Sequence, residues 1–257
     1  DLAGLGIALP YPAGKTPEEQ RALRVEVEYD GEDELLTRSA FGDIRALVRM
    51  RQDGDEWRLY RGGIRTDAIA AALPAHPGLR IEGALDRLVL DDWFALKGEG
   101  GGTTRLSDYL LTANLTLGTL QLFGYQFPEV RGLLRATDRG WQVDVAGPSA
   151  EGEVTVPEDF TSSQPLRVRL DHLVVSRTGR QSGDKDEKRD PRSWPNLQVL
   201  VEDLRYEDHS IGAVDVKASR LPAGIRVDSL TIVQEAARAD AQGQWVLTPD
   251  GERSEMS

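Results

Sequence analysis

Apolar and polar residues alternate along much of the chain. In the run Leu23-Arg-Val-Glu-Val-Glu-Tyr29, Leu23, Val25, Val27 and Tyr29 point one way, and Arg24, Glu26 and Glu28 the other. A period of two is what a pleated strand with one dry face requires. The same alternation carries Trp141, Val143 and Val145; Leu166, Val168 and Leu170; Leu197, Val199 and Val201; and Ile225 with Val227. Between Leu115, Leu117 and Leu120, Leu122 the phase changes across Gly118-Thr119, which predicts a bulge or bend there. The same logic makes residues 147–152 a hairpin turn between Val145 and Val154. Helix signals are few and short. Thr66-Asp67 caps a run from Ala68 to Leu73 that Pro74 stops, Asp91-Asp92 starts a turn through Trp93 to Leu96, and Ser107-Asp108 precede Tyr109 to Leu111.

Two segments break the pattern. Residues 178–193 hold no apolar side chain except Pro191, so they cannot offset their ordering entropy and read as a flexible inserted loop. Residues 98–102, with four glycines, form a second flexible spot.

A repeat underlies the strands. Phe41-Gly-Asp-Ile-Arg-Ala-Leu-Val-Arg49 aligns with Phe127-Pro-Glu-Val-Arg-Gly-Leu-Leu-Arg135, 86 residues later. Each is followed by a polar turn and a tryptophan, Trp57 or Trp141, and a weaker third copy starts at Ile211, 84 residues on. The repeat-like units fall at about 23–90, 106–177 and 197–248. Each reads as a meander of antiparallel strands. The expected fold is mainly β: an elongated, twisted antiparallel sheet of repeated meanders curled into a hydrophobic groove, with a few short helices. A β-sandwich of loosely similar hairpins is the alternative.

Composition narrows the function. The chain carries 31 Lys and Arg against 43 Asp and Glu, a net charge of −12. That balance argues against nucleic acid and against docking on an anionic membrane surface. Zero Cys removes disulfides, thiol catalysis and Cys-ligated metals. No run approaches the roughly 20 apolar residues of a membrane span. The opening Asp1-Leu2-Ala3-Gly4 and the polar tail from Gly251 to Ser257 read as the ends of a segment from a longer protein.

Chemistry finds little to work with. His76, His172 and His209 lie far apart without metal-ligand spacing, so no metal is expected. Residues 147–152 lack the Gly-x-Ser-x-Gly of a nucleophile elbow, and residues 98–102 lack the Gly-Lys-Ser/Thr of a phosphate loop. Asp91-Asp92 and Asp184, Asp186 supply too few oxygens for a calcium cage. No nucleophile, base and oxyanion site assemble, so neither an enzyme nor a cofactor is expected. Trp57, Trp141 and Trp245 sit at repeat-like strand positions, where packing competes with sugar stacking as their role.

The informative feature is the apolar face: Leu23, Val25, Val27, Leu115, Leu117, Leu120, Leu122, Trp141, Val143, Val145, Leu166, Val168, Leu170, Val199, Val201, Ile225 and Val227. Either a second sheet covers it, or it forms a trough for a long apolar ligand. Each CH₂ removed from water contributes about 0.8 kcal/mol, so a ~16-carbon acyl chain represents on the order of 12 kcal/mol.

From Leu2 to about Arg253 the chain also resembles the YhdP family of AsmA-like bacterial envelope proteins. The stretches that carry the likeness are Leu73-Pro-Ala-His-Pro-Gly-Leu-Arg-Ile-Glu-Gly83 with Leu88-Val-Leu-Asp-Asp-Trp93, Asp190-Pro-Arg-Ser-Trp-Pro-Asn-Leu197, Val201-Glu-Asp-Leu204, Ile211-Gly-Ala-Val214 and Ala241-Gln-Gly-Gln-Trp245. They contain no catalytic signature. The resemblance implies an inner-membrane anchor followed by a long periplasmic β-groove that moves phospholipid between inner and outer membranes. The implied partners are phospholipid acyl chains and the remaining segments of the same parent chain. Membrane contact would come only through termini that this segment lacks. The competing expectation is a non-catalytic β-sandwich scaffold of the cell envelope.

Overall fold

A computed structural model describes residues 4–95, 109–122, 125–175, 192, 194–248 and 251–256. The loop predicted at 178–193 falls outside them but for Arg192, as do the glycines of 98–102. The chain is mainly β, and hydrogen-bonded neighbours follow chain order from β1 to β15 in one sheet. A sandwich of two sheets is therefore not what forms. Residues divide into two compact units, Asp1–Phe123 with Arg131–Ala136 and Gly124–Val130 with Thr137–Ser257.

The first unit holds β1 (Leu23–Tyr29), β2 (Glu34–Phe41), β3 (Ile44–Asp53), β4 (Glu56–Arg65), β5 (Gly78–Val89), α1 (Leu90–Ala95) and β6 (Leu110–Leu122). β1 to β4 form the predicted antiparallel meander. β4–β5 and β5–β6, however, pair in parallel. The reason lies in the connections. A two-residue turn joins antiparallel strands, whereas a parallel neighbour needs a crossover of a dozen or more residues. The connections between these strands, residues 66–77 and 90–109, have the length for it.

β7 (Tyr125–Thr137) is divided between the units. The second unit holds β8 (Gly140–Ala146), β9 (Ala150–Pro157), β10 (Leu166–Val175), β11 (Leu197–Tyr206), β12 (His209–Leu221), β13 (Gly224–Gln234), β14 (Ala237–Thr248) and β15 (Gly251–Met256). The turn after β8 lies where the sequence puts it. β10 and β11 pair in parallel, and the connection between them contains the loop predicted at 178–193. β8–β9, β9–β10 and the successive pairs from β11 to β15 are antiparallel.

The helix expectations divide. α1 forms at Leu90–Ala95, and Leu110 and Leu111 belong to β6 instead of a helix. Residues 68–73 are not helical either. Asp67 does not serve a helix start: its carboxylate takes a two-pronged bond from Arg65 and accepts from the Ile69 N–H, while Ala68 sits at φ 60°. A left-handed residue one step inside the first turn stops a helix from starting.

The aligned repeat copies differ locally. In the first, Phe41 and Ile44 flank the tight β2–β3 turn. In the second, the same stretch runs inside one strand, β7, with a kink at Glu129 (φ 53°). The turn-and-Trp feature that follows recurs in both, at Trp57 of β4 and Trp141 of β8.

Candidate functional site

Residues paired directly across two strands share a face, so the register shows where each candidate lies. In the first unit Leu23 stands opposite Phe41, Val25 opposite Ser39 and Val27 opposite Thr37. Ser39 and Thr37 meet Ala46 and Val48, which meet Ile64 and Gly62, which meet Ile81 and Leu79. Ile81, Gly83 and Leu85 meet Ala113, Leu115 and Leu117. Leu23, Val25, Val27, Leu115 and Leu117 thus lie on one face of this unit.

Leu120 and Leu122 rejoin that face through a kink. The pairs on either side are Leu85 with Leu117 and Arg87 with Thr119. A Cβ built on Gly118 would stand 2.7 Å from the Asp86 carbonyl oxygen, so this position aims at the neighbouring strand and out of neither face. One residue on each strand drops out of the alternation, and Leu88 then meets Leu120.

In the second unit Trp141, Val143 and Val145 meet Val156, Val154 and Gly152. Val154 and Gly152 meet Val168 and Leu170. Leu166, Val168 and Leu170 meet Leu197, Val199 and Val201, and these meet Ala218, Val216 and Val214. Ala218 meets Val227, and Ile225 faces Trp245. All ten candidates of this unit therefore share one face. Register shifts at Asp171 of β10 and between Val201 and Leu204 of β11 keep Leu173 and Leu204 on it as well.

Burial grades this face. Leu117 (4% exposed), Leu170 (6%), Val201 (2%) and Ile225 (6%) are buried, whereas Leu23, Val25 and Val27 expose 42%, 51% and 54%. The other ten candidates are half-buried. A face sealed under a second sheet would bury its central valines and leucines throughout. Trp141 adds an oddity, an indole N–H buried without a hydrogen-bond partner.

Sequence reasoning missed part of the face. Leu79, Leu85 and Val214 are buried beside the candidates. The signal for the first two was present, since Leu79, Ile81 and Leu85 alternate with Arg80, Glu82 and Asp86 in β5. β2 gives no such signal, because Thr37 and Ser39 occupy its apolar-face positions.

The opposite face is charged. Arg24 pairs with Glu26, Arg80 with Glu82 and Arg238 with Asp240, each two residues apart on one strand. Glu34 receives Arg49 at 2.9 Å and Arg51 at 2.7 Å. The Arg51 hydrogen bond holds the Glu34 carboxyl below its ordinary range, and the Arg65 bond does the same for Asp67. In the first unit the crossover 66–77 packs on this polar face: a Cβ on Gly63 would collide with the Ala72 carbonyl. Ala70 and Ala71 roof a cleft of about 380 Å³ with Arg24, Arg38, Arg45 and Leu47. The N-terminal segment is tied to the strand ends, where Arg21 lies over the Phe41 ring and the Tyr11 carbonyl accepts from the Trp93 indole.

His76 and His209 are exposed, and His172 meets the Gly147 carbonyl at 3.1 Å. Among the described residues no group of three or more His, Asp or Glu is placed to hold a metal, and no helix is long and apolar enough to cross a membrane.

The model of one protein family, described as YhdP protein, matches residues 1–257. No curated protein and no solved structure matches the chain.

Proposed function

The chain belongs to the YhdP family of envelope proteins, and we propose on that premise that its apolar face carries phospholipid acyl chains. Family membership and a sheet built of successive strands fit a bridge-like envelope protein. The family is not a known enzyme family. In our reading the segment belongs to the periplasmic part of an inner-membrane-anchored protein, and acyl chains move along the face between inner and outer membranes.

One observation carries the reading. The register gathers the candidates of each unit on one face, yet most of them are only half-buried and those of β1 are exposed. A water-facing apolar strip of this kind marks an interaction surface. Hydrocarbon chains match it without any polar partner, and each CH₂ that leaves water contributes about 0.8 kcal/mol.

A photo-crosslinking side chain tests it. Placed at Val143 or Val168 on the apolar face, it should capture phospholipid in cells. At Gln142 or Arg167, on the reverse of the same strands, it should not. Lipid adducts at all four positions, or at none, would defeat the proposal.

A further inference from the structure

Among the described residues, four buried side-chain nitrogens lack a hydrogen-bond partner. Three of them are the Nε atoms of Arg49, Arg61 and Arg80, on the successive strands β3, β4 and β5. They share the polar face: Arg49 stands directly opposite Arg61, and Arg80 opposite Gly63, two residues along β4 from Arg61. Direct neighbours lie about 5 Å apart at Cβ and diagonal ones about 7–8 Å, within reach of long side chains.

This grouping runs against ordinary strand chemistry. Like charges directly opposite destabilise a pair of strands. Yet β3 and β4 oppose Arg45 with Arg65, Arg49 with Arg61 and Arg51 with Arg58. Carboxylates answer only some of these charges. Asp30 and Glu34 both serve Arg49, Glu34 also serves Arg51, Asp67 and Glu82 serve Arg65, and Asp53 and Glu56 serve Arg58. Glu82 stands 3.4 Å from Arg80 Nε without forming a hydrogen bond to it. Arg61 has the Tyr60 ring 5.3 Å away and no carboxylate partner among the described residues. Arg49 and Arg80 thus have carboxylates near their guanidiniums and Arg61 has none, yet all three Nε donors stay unmet on one side of one sheet.

We propose that Arg49, Arg61 and Arg80 form a binding site for a phosphate group on the polar face of the first unit. A guanidinium presents its Nε and Nη donors as a fork that fits phosphate oxygens in a two-pronged manner. Three forks on three neighbouring strands suit a tetrahedral group better than a planar carboxylate, which offers two oxygens. The side chains of Arg49 and Arg80 expose 23% and 35% of their surface while their Nε atoms are buried, so an anion would approach from the Nη ends. Water would satisfy the donors without balancing the charge. The phosphate belongs either to a free anion or to a lipid headgroup. The site is on the reverse of the apolar face and does not rest on the acyl-chain reading, so either fails without the other.

Thermal unfolding of the 257-residue chain reads the site. Millimolar inorganic phosphate, set against chloride at equal ionic strength, should raise the melting temperature by about 2–4 °C. Arg61→Gln should abolish that rise. In phosphate-free buffer the same variant should melt no lower than the parent, because it removes a like-charge pair, and this separates loss of the site from loss of the fold. Arg58→Gln, whose arginine pairs with Asp53 and Glu56, should keep the rise. Water-soluble short-chain phosphatidylglycerol is the second arm. A rise with it at a tenfold lower concentration than phosphate assigns a headgroup, and a rise with phosphate alone assigns the free anion. No rise with either, or an equal rise in Arg61→Gln, overturns the proposal.

Discussion

Leu170 and Val25 have the same alternating neighbours in sequence, and each register places them on an apolar face, but they do different work. Leu170 is 6% exposed and Val25 51%. Truncating a buried leucine loses its transfer free energy and leaves a cavity, whereas truncating a water-facing valine loses little. Leu170→Ala should therefore cost about 2–5 kcal/mol in urea unfolding, and Val25→Ala less than about 0.5 kcal/mol. Equal losses would mean that something covers β1. Alternation alone shows which way a side chain points. It carries no information on what stands over it, which is why Leu117, Val201 and Ile225 were indistinguishable from Leu23 and Val27 in the sequence. Arg61 was illegible for a related reason: its unmet charge arises only when the β3–β4 register sets it against Arg49.

Strands were easier to read than their pairing. Each of the alternating runs became a strand, and the phase change at Gly118 marks a kink where the sequence puts one. Parallel pairing at β4–β5, β5–β6 and β10–β11 was hidden, because the pattern of a strand is the same whichever way its neighbour runs. The clue was in the intervals: the irregular stretches at 98–102 and 178–193 interrupt the chain where crossovers are needed. Kinks keep the apolar phase in register on successive strands, and glycines make room for them. Gly152 sits at φ 141°, and a Cβ there would stand 2.3 Å from the Arg169 carbonyl oxygen. No L side chain fits that backbone, so Gly152→Ala should destabilise by more than about 1 kcal/mol, measured by chemical denaturation. An unchanged midpoint would show that the β9–β10 pairing relaxes freely and that the kink is not needed to hold Leu170 opposite position 152.

Across the whole chain the charged faces make stability depend on pH in one direction. Hydrogen bonds from Arg51, Arg65, Ser219 and Arg238 hold the carboxyls of Glu34, Asp67, Asp228 and Asp240 below their ordinary ranges. A carboxyl depressed in the folded state binds its proton more readily in the unfolded chain. Its contribution is complete above the unfolded value, about 3.9 for Asp and 4.3 for Glu, and is lost as pH falls through the lower folded value. The denaturation midpoint should therefore hold steady from about pH 8 to pH 5 as far as these groups are concerned, then fall below about pH 4. Both units contain such carboxyls, Glu34 and Asp67 in one and Asp228 and Asp240 in the other. Asp240→Asn should flatten the acid limb while leaving Glu34 and Asp67 to act in the first unit. The apolar faces carry no titratable group at the candidate positions, so acid should weaken the fold without altering what those faces contact while it stands. A lipid-crosslinking yield at Val143 that is constant from pH 7 to pH 5, over which the midpoint also holds, is the expected result. A yield that changes within that window would show that charge takes part in holding the acyl chain.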